Sequence, residues 1–512
     1  MALQELLRKW GWYMHIAAET TAIPSGLWDC NSQTLILERL HGRDESHLLS
    51  PNADNLAIQR TAGQHATSDQ LRRGGEVQLP RRLRNYHQSG AFPGANSPVN
   101  NSPQNPPYGL RTERISGSSF TAPRDHNLQT WLYRSNSSLT HSDFVPYDDH
   151  SAIDKPRHWT PNGYMWTSLN MSTNNDWTFQ KLLGSNGDPA KKQGLAIYLF
   201  HVSKDMPEHN AFSSLDGDML IIPQAGALDI QTELGNLLVR QNEIAVIPRG
   251  IRHRVTLPAG STRGYICEVY QGHFRLPDLG VIGSTGLANA RDFQIPTAAY
   301  SGKLSTTSQT LIPDTADWRT ISRLNSRLWT CTQTHTPFDV AAWHGTSYPY
   351  KYDLARFCAL GNVRFDEHDP SLFTVLTVPS NAARGTAVVD FAVIGPRWQV
   401  GEETLWIPYY HRNTMSEFYG PIVHAQDKSR PFNGGKEFRP FACGLNGLMA
   451  THGASEAEYA RAQEIDTEKP MKQMQDRISI FLLETELPLM LTDWALEGSN
   501  MNPKSKVHKA KM

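Results

Sequence analysis

The sequence predicts a mainly β protein made of two jelly-roll barrels, an N-terminal one without metal and a C-terminal one carrying a metal site. Three observations support this. From Tyr108 onward the chain is a succession of short β-branched or aromatic runs divided by Gly, Pro, Asn and Asp, the texture of antiparallel sheet. These runs fall into two series, separated by the Gly- and Pro-rich link RLPDLGVIGSTGLANARDFQIP (275–296). Only the second series carries residues spaced as metal ligands, in PYYHRNTMSE (408–417).

Residues 1–85 show no sustained period of 3.6 or 2 beyond one short helical pattern, and they read as a flexible extension. The tract GAFPGANSPVNNSPQNPP (90–107) cannot build a core of its own and is expected to wrap over the rest. The first series then runs LAIYLFHV (195–202), DMLIIPQ (218–224), ALDIQTELG (227–235), NEIAVIPRG (242–250), HRVTL (253–257) and RGYICEVY (263–270). Regular short strands with turn residues between them predict a sandwich or barrel. Pro248, Gly250 and His253 form P-x-G-x-x-H, which resembles the second signature of the cupin barrel. The HxH cluster of the first signature is missing, since neither His201 nor His209 has a second His two residues on. His253 is therefore read as structural and this barrel as metal-free.

Beyond the link, helical patterning is expected only at SRLWTCTQ (326–333) and YKYDLARFCALGNV (350–363). The second series follows: LFTVLTVPS (372–380), GTAVVDFAVIGPRW (385–398), TLWIPYYHRN (404–413) and RISIFLLET (477–485). Between Ala454 and Gln475 the Ala/Glu-rich SEAEYARAQ predicts a surface helix. The expected division is an extension (1–85), a degenerate N-terminal cupin domain (86–300), a C-terminal cupin domain with the metal site (301–499) and a basic tail (500–512). Together the two domains make a bicupin-like architecture.

Composition narrows the function. Lys and Arg total 49 against 50 Asp and Glu, so there is no electrostatic footprint for nucleic acid or an anionic membrane. No apolar run reaches the ~18–20 residues of a membrane span. The expected partners are a small molecule and further copies of the chain. Five scattered cysteines without a CxxC pair fit a reducing compartment and neither a disulfide framework nor a structural zinc site. The cytoplasm is the expected location. Ala510, Lys511 and Met512 follow the small, basic, apolar order of a peroxisomal address and keep that compartment as an alternative.

His411 and Glu417 lie six residues apart, so on one extended strand both would leave the same face. With His452 from the THG turn they make two imidazoles and one carboxylate, a set that leaves open positions on a non-heme iron(II). Spacing alone equally allows His411 and Glu417 to be an ion pair or a buried hydrogen bond. Bound to Glu417 and two neutral imidazoles, iron(II) would keep a net charge of plus one, which favours a phenolate oxygen as the next ligand. A second stretch, AAWHGTSYPYKYD (341–353), carries His344 in an aromatic-rich loop, where an ordinary imidazole pKa suits proton transfer.

WHGTSYPYKYD, PRW, PYYHRNTMSEF and THG, in this order, together with DGDMLIIPQ, TRGYICEVY, LPDLG and GLANARDFQIP, resemble the homogentisate 1,2-dioxygenase family from about Tyr86 to Ser499. The resemblance implies an iron(II)-dependent ring-cleaving oxygenase, assembled as a homo-hexamer. It implies His411, Glu417 and His452 as iron ligands and His344 as the acid/base residue. The implied substrates are dioxygen and a hydroquinone with an acetate side chain, opened to maleylacetoacetate in tyrosine and phenylalanine breakdown. The chain departs from the family after Tyr419. EFYGPIVHAQDKSRPF sets Gln426 where the family carries a substrate-contacting tyrosine, and ACGLNG sets Asn446 at a histidine position beside the ligands. Gln426, Asn446 and His452 are thus the expected substrate contacts. The departures leave two further readings: a paralogue that opens a gentisate-like hydroquinone, and a bicupin that binds without turnover.

Overall fold

A computed structural model describes residues 77–78, 86–96, 106–124, 126–147, 156, 158–161, 163–166, 169, 171–278, 288–357, 373–399, 410–423, 442–453, 456–466, 468–469, 471–473, 479–497 and 502–503. All of them fall in one compact unit, Gln64–Met512. Most of the expected extension, Gln426 and the Ala510–Met512 tail lie outside the described residues.

Three seven-stranded sheets and one of four strands carry the architecture. The first sheet runs in the order Tyr350–Asp353, Glu243–Ile247, Asp218–Ala225, Thr262–Val269, Gln193–Val202, Lys181–Asp188, Met490–Leu491. The second runs Gly235–Arg240, Ala227–Thr232, His253–Thr256, Asn210–Ser214, Trp318–Leu324, Arg327–Gln333, Val145–Pro146, and the pair Asn210–Ser214 with Trp318–Leu324 is parallel. These two sheets form the N-terminal jelly roll. The third belongs to the C-terminal one, in the order Thr374–Pro379, Ala387–Ile394, Ser479–Thr485, Ser416–Val423, Cys443–Asn446, Tyr164–Trp166, Asn502–Pro503. The four-stranded sheet lies apart, ordered His87–Gly90, Val340–Gly345, Gln129–Arg134, Arg111–Ser116.

All six runs of the first series contain strands, as their short β-branched pattern predicts. The helical reading of SRLWTCTQ is wrong. Arg327–Gln333 is a strand paired antiparallel along its whole length with Trp318–Leu324, so a neighbouring strand outweighs the local Leu, Arg and Gln preference for helix. Tyr350–Asp353 is likewise a strand, followed by a single 3-10 turn at Leu354–Arg356. The surface helix is present at Glu456–Gln463. No helix among the described residues is long and apolar enough to cross a membrane.

The barrels meet through buried aromatic contacts. Tyr265, from the first series, packs its ring 4.7 Å from Phe481 and donates its hydroxyl to the Ala442 carbonyl at 3.0 Å. Arg134 ties the small sheet down: its guanidinium meets Asp339 at 2.9 Å, Glu113 at 2.6 Å and Glu233 at 3.3 Å in a buried knot. Removing one partner from such a knot leaves a buried charge unpaired.

His253 has no lone pair to spare. It is completely buried, its Nε2 accepts the Trp177 indole N–H at 3.1 Å, and its Nδ1–H faces the Ile251 carbonyl at 3.3 Å. Burial drives its pKa down to about 4, with the Arg323 charge adding to the fall and the Ile251 carbonyl opposing it. The unfolded chain then binds a proton below about pH 6.5 that the folded chain refuses until about pH 4. Stability is therefore full above that window and declines as pH falls through it, by about 3 kcal/mol from this group. In denaturant titrations at pH 7 and pH 4.5, His253→Gln is expected to flatten the acid loss relative to wild type. Equal slopes would show that His253 does not carry it.

Candidate metal centre

The metal centre is assembled from one strand and two connecting segments. Ser416–Val423 is an interior strand, flanked by Ser479–Thr485 and Cys443–Asn446, so Glu417 is set into the barrel wall opposite Glu484 on one side and Asn446 on the other. His411 is not on that strand. The one-strand reading fails because the strand begins at Ser416; Asn413 takes the Met415 N–H on its own Oδ1 at 2.9 Å, turning the chain between His411 and Glu417. A two-residue antiparallel bridge fixes His411 instead: His411 N–H donates to the His452 carbonyl at 2.9 Å, and His452 N–H donates back at 3.1 Å.

The three side chains converge. His411, Glu417 and His452 present ligand atoms that all lie within 4.8 Å of one another. His411 Nε2 stands 3.6 Å from Glu417 Oε1, and His452 Nε2 stands 2.6 Å from Oε2. The His452 approach is close yet misdirected, since its buried Nε2 makes no hydrogen bond of acceptable angle. Its Nδ1–H is held by the Ala450 carbonyl at 2.9 Å, so the Nε2 lone pair points into the cluster without a proton. An orphaned ring nitrogen beside a carboxylate is what a shared cation would satisfy, and the set of two nitrogens and one oxygen suits a divalent transition metal.

Two amides that sequence reasoning did not assign to the carboxylate hold it. Asn413 Nδ2 donates to Oε1 at 2.9 Å and Asn446 Nδ2 donates to Oε2 at 3.2 Å. Burial pushes the Glu417 carboxyl up, but the His411 and His452 imidazoles and the Asn413 amide set against it outweigh that push and hold it well below the usual carboxylate range. Asn446, expected against substrate, donates to the Glu417 carboxylate of the cluster. Glu484 is the acidic residue the sequence did not single out. Burial and the neighbouring charges of Glu417 and Asp390 push it up to about 7, and it sits in a register row Asn446, Glu417, Glu484, Asp390, Thr377 across five strands.

His344 stands on the strand Val340–Gly345, not in a loop, and on the four-stranded sheet rather than the sheet of Glu417. It is 2% exposed, meets the Tyr133 hydroxyl through Nε2 at 3.0 Å, and leaves Nδ1 without a hydrogen-bond partner. Burial lowers its pKa, which keeps the imidazole neutral at pH 7. The ring lines a cavity of about 500 Å³ whose walls include none of the three clustered residues. The structure therefore brings His411, Glu417, His452 and Asn446 together and sets His344 in a cavity of its own.

A jelly-roll barrel whose wall carboxylate meets two imidazoles from adjoining segments at one point is the architecture of a cupin, with a group that could hold a single metal ion. The chain belongs to the homogentisate 1,2-dioxygenase family: the N-terminal family domain matches residues 81–354 and the C-terminal one residues 355–509. It is 48% identical to homogentisate 1,2-dioxygenase of Emericella nidulans over 80% of this chain and 89% of that protein. The enzymes of that name from Drosophila melanogaster and Dictyostelium discoideum are each 40% identical, over 78% and 80% of this chain and 88% and 91% of theirs. Among solved structures, a cupin-2 domain protein of Shewanella frigidimarina matches 19% of this chain and 83% of its own at 21% identity, with a TM-score of 0.16 that adds nothing to the fold described. The resemblance drawn from PYYHRNTMSEF and its companion motifs is met.

Loss of Asn446, which only orients a ligand, is expected to weaken the metal by about 10- to 100-fold in Asn446→Ala, measured by competition with a chelator. Glu417→Gln should abolish stoichiometric loading. An Asn446→Ala protein that binds metal as tightly as wild type would remove the amide from the site.

Proposed function

We propose that this protein is an iron(II)-dependent dioxygenase that opens the ring of homogentisate to maleylacetoacetate, with His411, Glu417 and His452 as the iron ligands. The convergence of these three groups, with an orphaned His452 nitrogen, in a chain of this family carries the reading. Bound there, iron(II) supplies adjacent positions for a ring hydroxyl and dioxygen and conducts electron density between them.

The protein's own groups set the rest. Asn413 and Asn446 fix both oxygens of Glu417, so the carboxylate stays ionised and does not rotate away. The Ala450 carbonyl fixes the His452 tautomer. His344 is the acid/base residue in this reading: when its Nε2–H donates to Tyr133, its Nδ1 lone pair is free to take the proton of a ring hydroxyl. That role requires the His344 cavity to face a metal set, in the same chain or in a neighbouring copy of the homo-hexamer that the family resemblance implies.

Strand pairing supports placing the division between the barrels after Asp353 rather than at residue 300, since Trp318–Gln333 and Tyr350–Asp353 both pair within the N-terminal sheets. The cytosol is the proposed compartment, in keeping with the free, buried thiols of Cys267, Cys331 and Cys443. A gentisate-like substrate is the second reading, motivated by Gln426 in the sequence.

Oxygen uptake by the iron-loaded enzyme tests both. Uptake with homogentisate, and little with gentisate, is the expected result; the reverse preference would replace homogentisate as substrate, and no uptake with either would overturn the dioxygenase reading. His344→Asn is expected to lower kcat by about 10²- to 10⁴-fold with iron content unchanged. Normal turnover in that variant would exclude His344 as the acid/base group.

A further inference from the structure

The cavity that His344 lines has a charge pattern of its own. Two arginines, Arg114 and Arg124, face it together with Tyr86, Phe120 and Trp131, and among the described residues no Asp or Glu contributes to its walls. Among the described residues neither guanidinium has a carboxylate partner. An arginine beside a cavity with no counter-charge leaves the anion to be supplied by whatever enters.

Arg114 is the better positioned of the two. Its Cζ sits 4.4 Å from the centroid of the Phe120 ring and 5.4 Å from that of Trp131, so two aromatic rings hold the guanidinium, whose N–H groups have no hydrogen-bond partner among the described residues. Cross-strand register fixes where it stands relative to His344. Arg114 is opposite Trp131, and Trp131 is opposite His344 on the next strand, placing all three in one row across the sheet. Two interstrand steps separate the guanidinium's strand from that of the imidazole, about 10 Å between backbones. At the His344 end, the buried Nδ1 has no partner, nor does the Trp131 indole nitrogen between them. The cavity thus offers a cation at one end, aromatic walls along its length and a neutral imidazole at the other.

We propose that Arg114 is the specificity residue that binds the carboxylate of the aromatic acid substrate, holding the acid's ring along Trp131 with its hydroxyl toward His344. The ligand class is a planar aromatic ring bearing a short carboxylate arm. This inference rests on the reading of the chain as a ring-opening dioxygenase, and it adds the group that distinguishes an aromatic acid from a neutral phenol.

The test uses the iron-loaded full chain under argon, with phenylacetate as an unreactive anionic probe and benzyl alcohol as a neutral one, both followed by calorimetry. Arg114→Ala is expected to weaken phenylacetate by about 10- to 100-fold while leaving benzyl alcohol within about twofold, and Arg114→Lys should recover part of the loss. Unchanged phenylacetate affinity in Arg114→Ala overturns the proposal, as does an equal loss for both probes, which would report collapse of the Phe120 and Trp131 wall. Kinetics separate this from the parent reading. If wild type consumes oxygen with homogentisate and Arg114→Ala keeps the same KM, the carboxylate site fails and the dioxygenase stands. If wild type consumes none but phenylacetate binding still depends on Arg114, the dioxygenase reading fails and the anion site stands.

Discussion

Two backbone hydrogen bonds between His411 and His452 hold the metal centre together. Neither residue belongs to a long strand, and each lies in a segment that turns through several residues before regular sheet resumes. Reciprocal pairing of their N–H and C=O groups removes the main-chain freedom of both ligands at once, setting their rings 4.1 Å apart and tilted by 60°. The carboxylate has the opposite kind of support. Glu417 sits in the middle of a sheet, where pairing on both sides fixes the backbone and two amides fix the oxygens. A rigid wall and a two-point clip therefore meet at one place, which brings the carboxylate and both imidazoles within reach of one ion.

His253 of the first barrel and His452 of the second are held differently. In the first, His253 has both nitrogens matched, and Arg323 is paired with Glu268 at 3.0 Å, so the charges close on one another. In the second, His452 keeps an unmatched nitrogen and Glu417 is pressed against Glu484. Unmatched buried groups occur in the first barrel too, at Asp229 and Thr320 for example, so what sets the second apart is the convergence of two imidazoles and a carboxylate on one point.

Much of this was legible in the sequence, for identifiable reasons. Runs such as DMLIIPQ and RGYICEVY are short, β-branched and bounded by turn residues, and those local features survive in the folded chain. The three candidate ligands are legible as residue types in a recognisable motif, and the structure brings them together. Their geometry is not legible there, because the even spacing of His411 and Glu417 implies a continuous strand that Asn413 interrupts. The helix-forming residues of SRLWTCTQ carry no sign of the partner strand at 318–324, with which 327–333 pairs. Rows that run across strands, such as Arg114, Trp131 and His344, leave no trace in sequence spacing, because register is decided by pairing between segments far apart in the chain.

Arg111–Ser116 is the edge strand of its sheet, and each of its residues is exposed or half-buried. Arg134, the last residue of the adjoining strand, is locked by three acids, and Glu417 lies in a wall with neighbours on both sides. Substitutions on such an edge disturb few packed neighbours, whereas those in the knot or the wall cost folding free energy directly. The scaffold can accordingly be retargeted among anionic aromatic acids by changes at its margin while its reactive centre stays untouched, a separation that gives a lineage room to acquire new substrates without first losing its chemistry.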